Sequence, residues 1–235
     1  TGVLSVTADG STVEVGGSSV SAASTLLTLT SSSGDVTLLN AGSMGSIALT
    51  GTGQNLDLGS PTQDQINGLL AGKTWASATI ASSTAVQLPD LDAGALDVTA
   101  LGISQSGTSI TVTGATTLSA AGNSIALTGA NNSFGGNVAF TGSAVTLVGS
   151  GALSSSGTAS GNLSETAGGT ISEGSAGIQL TGTAGNTATF TVTGSGDDVD
   201  LGSGANDFNG EQATIQASGT GSVGNVRVVD TNAAF

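Results

Sequence analysis

Short apolar runs return about every ten residues along this chain, each closed by Gly, Ser, Asn or Asp. Leu27-Thr28-Leu29 is followed by Val36-Thr37-Leu38, Ile47-Ala48-Leu49 and Leu56-Asp57-Leu58. The beat resumes with Ile110-Thr111-Val112, Ile125-Ala126-Leu127, Val138-Ala139-Phe140 and Val145-Thr146-Leu147. It returns as Ile178-Gln179-Leu180, Phe190-Thr191-Val192 and Val199-Asp200-Leu201. Within each run apolar residues alternate with Thr, Ser or Ala, the period of a half-buried strand. Every second run falls about 20 residues on, as from Leu27 to Ile47 or Ile125 to Val145. Very short strands at that period predict an all-β solenoid, a parallel β-helix with about 20 residues per coil. Each strand then pairs with its equivalent one coil away, at about 4.8 Å, and inward side chains form aliphatic ladders.

One segment breaks the rhythm. Ser60-Pro61-Thr62-Gln63 offers an N-cap Ser60, a proline at the first helical position and a glutamine three residues after the cap. Ile66, Leu69 and Leu70 follow at helical spacing, and Gly72 can close the turn. A short amphipathic helix is therefore expected near 61–71, on the side or end of the solenoid, within an irregular insertion or lid over 61–91. Lys73 and Trp75 come directly after it. They read either as part of a lid over a local apolar surface or as a protruding contact for a partner or glycan, since solenoid insertions often lie on binding faces.

A longer repeat overlies the short one. Leu96-Asp97-Val98-Thr99-Ala100-Leu101-Gly102-Ile103-Ser104 is echoed by Leu163-Ser164-Glu165-Thr166-Ala167-Gly168-Gly169-Thr170-Ile171-Ser172. Ala130-Asn131-Asn132-Ser133-Phe134-Gly135-Gly136 is echoed by Ala205-Asn206-Asp207-Phe208-Asn209-Gly210. Three or four coils thus make one duplicated block. The whole chain, 1–235, reads as one solenoid, with its best repeats over 92–235. The corner and the segment before it resemble repeats of filamentous-haemagglutinin-like bacterial exoproteins. That resemblance implies a right-handed parallel β-helix acting as the stalk of a secreted adhesin at the bacterial surface. The partners it implies are a host-cell, glycan or neighbouring-cell surface. An open end of such a rod could also stack on another copy.

Composition narrows the alternatives. The 235 residues carry 37% hydrophobic and only 8% charged side chains, too apolar for simple disorder. The net charge is −14, with two cations against sixteen carboxylates, which argues against nucleic-acid binding and against anionic membranes. No apolar stretch approaches the roughly 18 residues of a spanning helix. Cysteine is absent, so disulfides and thiolate metal sites are excluded. The chain opens at Thr1 without a recognisable signal peptide and reads as a mature fragment of something longer.

Catalysis finds little support. Glycoside hydrolysis needs two suitably placed carboxylates and a sugar platform. The closest sets are Asp197, Asp198 and Asp200, then Asp90 and Asp92, but there is one Trp and no Tyr. Phe134 and Phe208 sit at repeated corners, where they read as core plugs. Histidine is absent, so bases poised near neutrality are scarce. No enzyme activity is expected. Asp197, Asp198, Asp200 and Asp207 lie in a Gly-rich stretch that faintly echoes calcium-binding nonapeptides, so they are either a calcium site or a solvated acidic loop. Thr-x-Thr pairs are irregular, with Thr111-Val112-Thr113 and Thr191-Val192-Thr193 nearly alone, which argues against an ice-binding face.

Overall fold

The computed structural model describes residues 3–8, 13–15, 26–31, 36–38, 47–50, 55–120 and 122–231. The corners between the strands of the first 54 residues, which the sequence assigns to the same solenoid, lie outside the described set. The fold is an all-β, parallel β-solenoid with one short helix.

Two sides of the coil are distinct. One side begins as a three-stranded sheet of β1 (Val3–Ala8), β3 (Leu26–Ser31) and β5 (Ile47–Thr50). It resumes as a seven-stranded sheet of β8 (Val86–Leu88), β10 (Ile103–Gln105), β13 (Ile125–Leu127), β16 (Val145–Gly149), β18 (Leu163–Ala167), β20 (Ala188–Val192) and β22 (Ala213–Ala217). The opposite side is a single sheet. It starts with β2 (Val13–Val15), β4 (Val36–Leu38), β6 (Asn55–Gly59), β7 (Thr74–Ala81) and β9 (Leu91–Thr99). It continues with β12 (Thr116–Ser119), β15 (Asn137–Gly142), β17 (Leu153–Ala159), β19 (Ile171–Leu180), β21 (Ser195–Asn206) and β23 (Ser222–Asp230). The short β11 (Ile110–Val112) and β14 (Ser133–Phe134) extend it at a bend, β11 pairing with β9 and β14 with β11. Every pairing is parallel, as coil-on-coil stacking requires.

The helix α1 (Gln63–Leu70) explains the gap between the three- and seven-stranded sheets: it packs against both β5 and β8, in the place a strand would hold. Its cap is Thr62 rather than Ser60. The Thr62 hydroxyl accepts from Gln65 N at 3.3 Å, and the Gln65 carboxamide accepts from Thr62 N at 2.9 Å, a reciprocal capping box. Ser60 instead adopts a left-handed φ of 50°, which turns the chain before the helix can begin. Gly72, at φ 63°, closes the C-terminus as expected. The helix also satisfies its strand neighbour. Gln63 Nε2 donates to Gln87 O at 2.6 Å and Gln87 N donates to Gln63 Oε1 at 2.9 Å, so one carboxamide mimics the ladder that a strand would have offered β8.

The core consists of columns. In the large sheet Leu58, Ile80, Val98, Leu118 and Phe140 stack in register, all buried. Facing them, Val86, Ile103, Ile125, Val145, Leu163 and Ala188 form a second buried column. Burying an aliphatic side chain contributes about 1.5–3 kcal/mol, so each coil that lands its pair inward is held by its neighbours rather than by itself. At Gly157 the ladder demands glycine. Its φ is 141°, a Cβ there would lie 1.9 Å from Phe140 O, and the register with β19 shifts between Ser155 and Gly157.

Candidate functional site

The two repeated corners are structural devices. Asn132 Oδ1 accepts from Ile110 N at 2.8 Å, and Asn206 Oδ1 accepts from Ile178 N, also at 2.8 Å. Both asparagines are fully buried, and each side-chain carbonyl accepts from a strand N–H, that of Ile110 at the start of β11 and that of Ile178 within β19. The carbonyl of Asn132 receives Ser150 N and Oγ, and that of Asn206 receives Thr231 N and Oγ1, so the duplication extends to these bonds. Phe134 and Phe208 are buried core plugs, and Phe208 meets Phe190 edge-on at 6.2 Å.

Lys73 and Trp75 do not form an exposed pair. Trp75 is 1% exposed, continues the inward column Trp75–Ala93–Val112–Phe134, and donates Nε1–H to Leu69 O at 3.3 Å. Its indole joins Ile66, Leu69 and Leu70 in the core, so a partner at the surface would not meet the ring. Lys73 is half-buried, and its carbonyl receives Asp92 N at 3.1 Å.

The acidic stretch is spread across two strands and a corner. Asp198 Oδ1 accepts from Asn225 N at 2.6 Å, and Asp200 Oδ1 pairs with Arg227 Nη1 at 3.4 Å. Both carboxylates therefore face outward against β23, while Val199 between them is buried. Asp207 Oδ1 accepts from Asn209 N at 2.7 Å within its own turn. Asp197 follows a bulge, and its Oδ2 is buried without a hydrogen-bond partner. Among the described residues no three His, Cys, Asp or Glu side chains converge as a metal-binding group. Asp90, weighed with Asp92 as a catalytic pair, caps a corner by accepting from Thr108 N and Ser109 N at 2.6 and 2.7 Å.

Two carboxyls that composition reading passed over lie inside the solenoid. Glu165 takes an inward place between Leu147 and Phe190 in the seven-stranded sheet. Ser155 Oγ, from the opposite sheet, donates to its Oε1 at 2.5 Å, while Oε2 has no hydrogen-bond partner. Burial pushes the Glu165 carboxyl up to about 7, against a smaller lowering by the serine hydrogen bond. Glu173 accepts from Gly204 N and Asn206 Nδ2, tying β19 to β21. Strict alternation would have found both: Leu163, Glu165 and Ala167 share one face, as do Ile171 and Glu173.

The outer surface offers a groove and a flat column. The groove, about 290 Å³, runs over the bend between β7, β9 and β11 and is lined by Thr74, Trp75, Ala76, Asp92, Ala93, Gly94, Thr111 and Thr113. Gly94 lets β9 approach β7 closely there, since a Cβ on it would lie 2.3 Å from Ala76 O. On the seven-stranded sheet, Ser104, Ala126, Thr146, Ser164, Thr189 and Thr214 align outward without a charge or a register shift. That alignment is hidden along the chain, since coils differ in length and successive members do not recur at a fixed spacing.

These features define a parallel β-solenoid repeat protein whose corners, rather than a catalytic constellation, are duplicated. Residues 76–141 and 142–215, more than half of the chain, each match the family described as repeats of unknown function (DUF5649), and the chain belongs to that family. No curated protein and no solved structure matches it significantly. Each matched unit contains three strands of the seven-stranded sheet, β8, β10 and β13 in the first and β16, β18 and β20 in the second. Membership reaches a broad class of β-solenoid repeats, not the haemagglutinin-like exoproteins specifically.

Proposed function

We propose that this chain is a structural and adhesive segment, the stalk of a secreted bacterial surface fibre. The observation that carries the reading is the ladder itself. Parallel strands follow one another from β2 to β23, with local bulges only, and tandem units extend the same core by whole coils. Such a rod sets distance and resists unfolding, because each coil is clamped by hydrogen bonds and apolar columns on both sides. The chain's formal net charge is −14, a strongly acidic balance that repels anionic polymers. Contacts to a host-cell, glycan or neighbouring-cell surface would be made by outward rows and corners.

The test measures adhesion and turnover on one preparation. Beads coated with the chain are expected to adhere to cells or immobilised glycans, and the soluble chain to leave polysaccharides intact. Release of reducing ends from a polysaccharide, or coated beads that adhere no better than bare ones, would overturn the adhesive reading. A second reading is a glycan-binding module, favoured by the groove over β7, β9 and β11, where Thr hydroxyls and Asp92 surround an apolar floor. Replacing Thr111 by Trp would fill that groove and abolish glycan binding there without touching adhesion at other corners.

A further inference from the structure

We propose that the groove over β7, β9 and β11 takes a protonated amino sugar, its ammonium set against Asp92 and its ring against the small side chains of the bend. This inference rests on the glycan-binding reading and names the class of sugar that reading leaves open. The groove holds about 290 Å³, at the small end of ligand sites, which suits a short piece of glycan. Close backbone approach sets its shape. Gly94 lets β9 come near β7, and a Cβ on Gly114 would lie 2.6 Å from Gly94 O, so the next coil meets the bend just as tightly. A groove fixed in this way does not have to be ordered by its ligand.

The chemistry of the rim selects the ligand. Thr74, Asp92 and Thr111 hold one register position in successive coils, so a threonine lies one coil to either side of Asp92, about 4.8 Å along the axis. Thr113 adds a third hydroxyl. Asp92 is exposed, and among the described residues it is the only charged one lining the groove. Its backbone N–H is spent on Lys73 O at 3.1 Å, whereas its carboxylate joins no hydrogen bond or ion pair among the described residues. Neighbouring acids differ: Asp90 is engaged by Thr108 N and Ser109 N, and Asp200 by Arg227. An acidic sugar would meet Asp92 with like charge and find no cation to hold it, since Lys73 and Arg227 are the chain's two and neither lines the groove. A neutral sugar would use the hydroxyls but leave the carboxylate desolvated and unpaired. A lysine side chain would bring the ammonium without ring hydroxyls for the three threonines. A protonated amine on a sugar ring answers the carboxylate, the hydroxyls and the apolar wall together.

The experiment is isothermal titration calorimetry of the full chain at mildly acidic pH and physiological salt. The probes are a glucosamine tetramer, its fully N-acetylated counterpart and a lysine tetrapeptide. The glucosamine tetramer is expected to bind at least tenfold more tightly than either of the others. Asp92→Asn should weaken that binding at least tenfold, and Thr111→Trp, which fills the groove and keeps the carboxylate, should abolish it. Asp97→Asn removes another exposed acid of β9 that does not line the groove, and should leave binding unchanged. Equal binding of both sugars, insensitive to Asp92→Asn, would overturn this inference and leave the glycan-binding reading standing. Silence toward both sugars would also overturn it, and the glycan-binding reading falls too only if a panel of neutral and acidic glycans is silent as well. Tighter binding of the lysine peptide would overturn it in favour of a cationic protein partner. Equal losses from Asp92→Asn and Asp97→Asn would overturn it by tracing the attraction to the overall charge of −14 rather than to the groove.

Discussion

Replacing Glu165 by Gln should remove a pH dependence of stability that the wild-type chain carries between about pH 4.5 and 7. Glu165 lies fully buried between Leu147 and Phe190, with Ser155 as its hydrogen-bond partner and a carboxyl raised from 4.5 to about 7. In the unfolded chain the same carboxyl ionises near its ordinary value. Between the two values the unfolded state has released its proton and the folded state still holds it, so stability falls as pH rises through that window. Below it the group is neutral in both states and contributes nothing to the slope. A difference of this size corresponds to about 3 kcal/mol, most of which separates pH 5 from pH 8. For a chain of this length that is a loss of roughly 5–10 °C in Tm. The assay is urea unfolding by circular dichroism at pH 5, 6, 7 and 8 for wild type and Glu165→Gln. The slope difference is the readout, because the other carboxylates titrate in both proteins and the new amide must find its own partners. Equal slopes, or a wild type that gains stability relative to the variant as pH rises, would refute the reasoning.

Three further outcomes follow from individual contacts. Gly157→Ala should destabilise the chain by on the order of 3 kcal/mol, read by urea midpoint, since a Cβ would meet Phe140 O at 1.9 Å at a φ of 141°. Asn132→Ala should lose about 1–3 kcal/mol by leaving the buried Ile110 N–H without its acceptor, and Asn206→Ala should lose a similar amount through Ile178. Trp75 fluorescence should be blue-shifted and insensitive to acrylamide in the folded chain, shifting red on unfolding; an emission already water-like in the native state would contradict its burial in the core.

The solenoid was legible because short strands at a near-constant period leave few other ways to bury Val, Leu and Ile. The runs Val36–Leu38, Ile125–Leu127 and Val145–Gly149 are strands, and the repeated Phe134 and Phe208 are plugs. The helix was legible from Ile66, Leu69 and Leu70, but its cap was not. Ser60 and Thr62 are both competent caps, and the choice rests on the left-handed turn at Ser60 that hands the chain over from β6. That α1 stands where a strand would be, with Gln63 completing the ladder of β8, depends on contacts 24 residues away. Outward columns stayed hidden for the same reason: uneven coils scatter their members along the chain, and only register gathers them. The acidic stretch near Asp197 drew attention by composition. The more unusual carboxyl, Glu165, was disguised as one polar letter in an ordinary strand.

The account rests most directly on coils stacked along one axis, and small-angle X-ray scattering of the monomeric chain at low concentration tests it. Successive strands of the large sheet, about 4.8 Å apart, give a rod about 50 Å long. The account predicts a rod-like cross-section regime and a skewed pair-distance distribution with a long tail. A symmetric distribution of a compact sphere would contradict the stacked solenoid, and with it the proposed stalk.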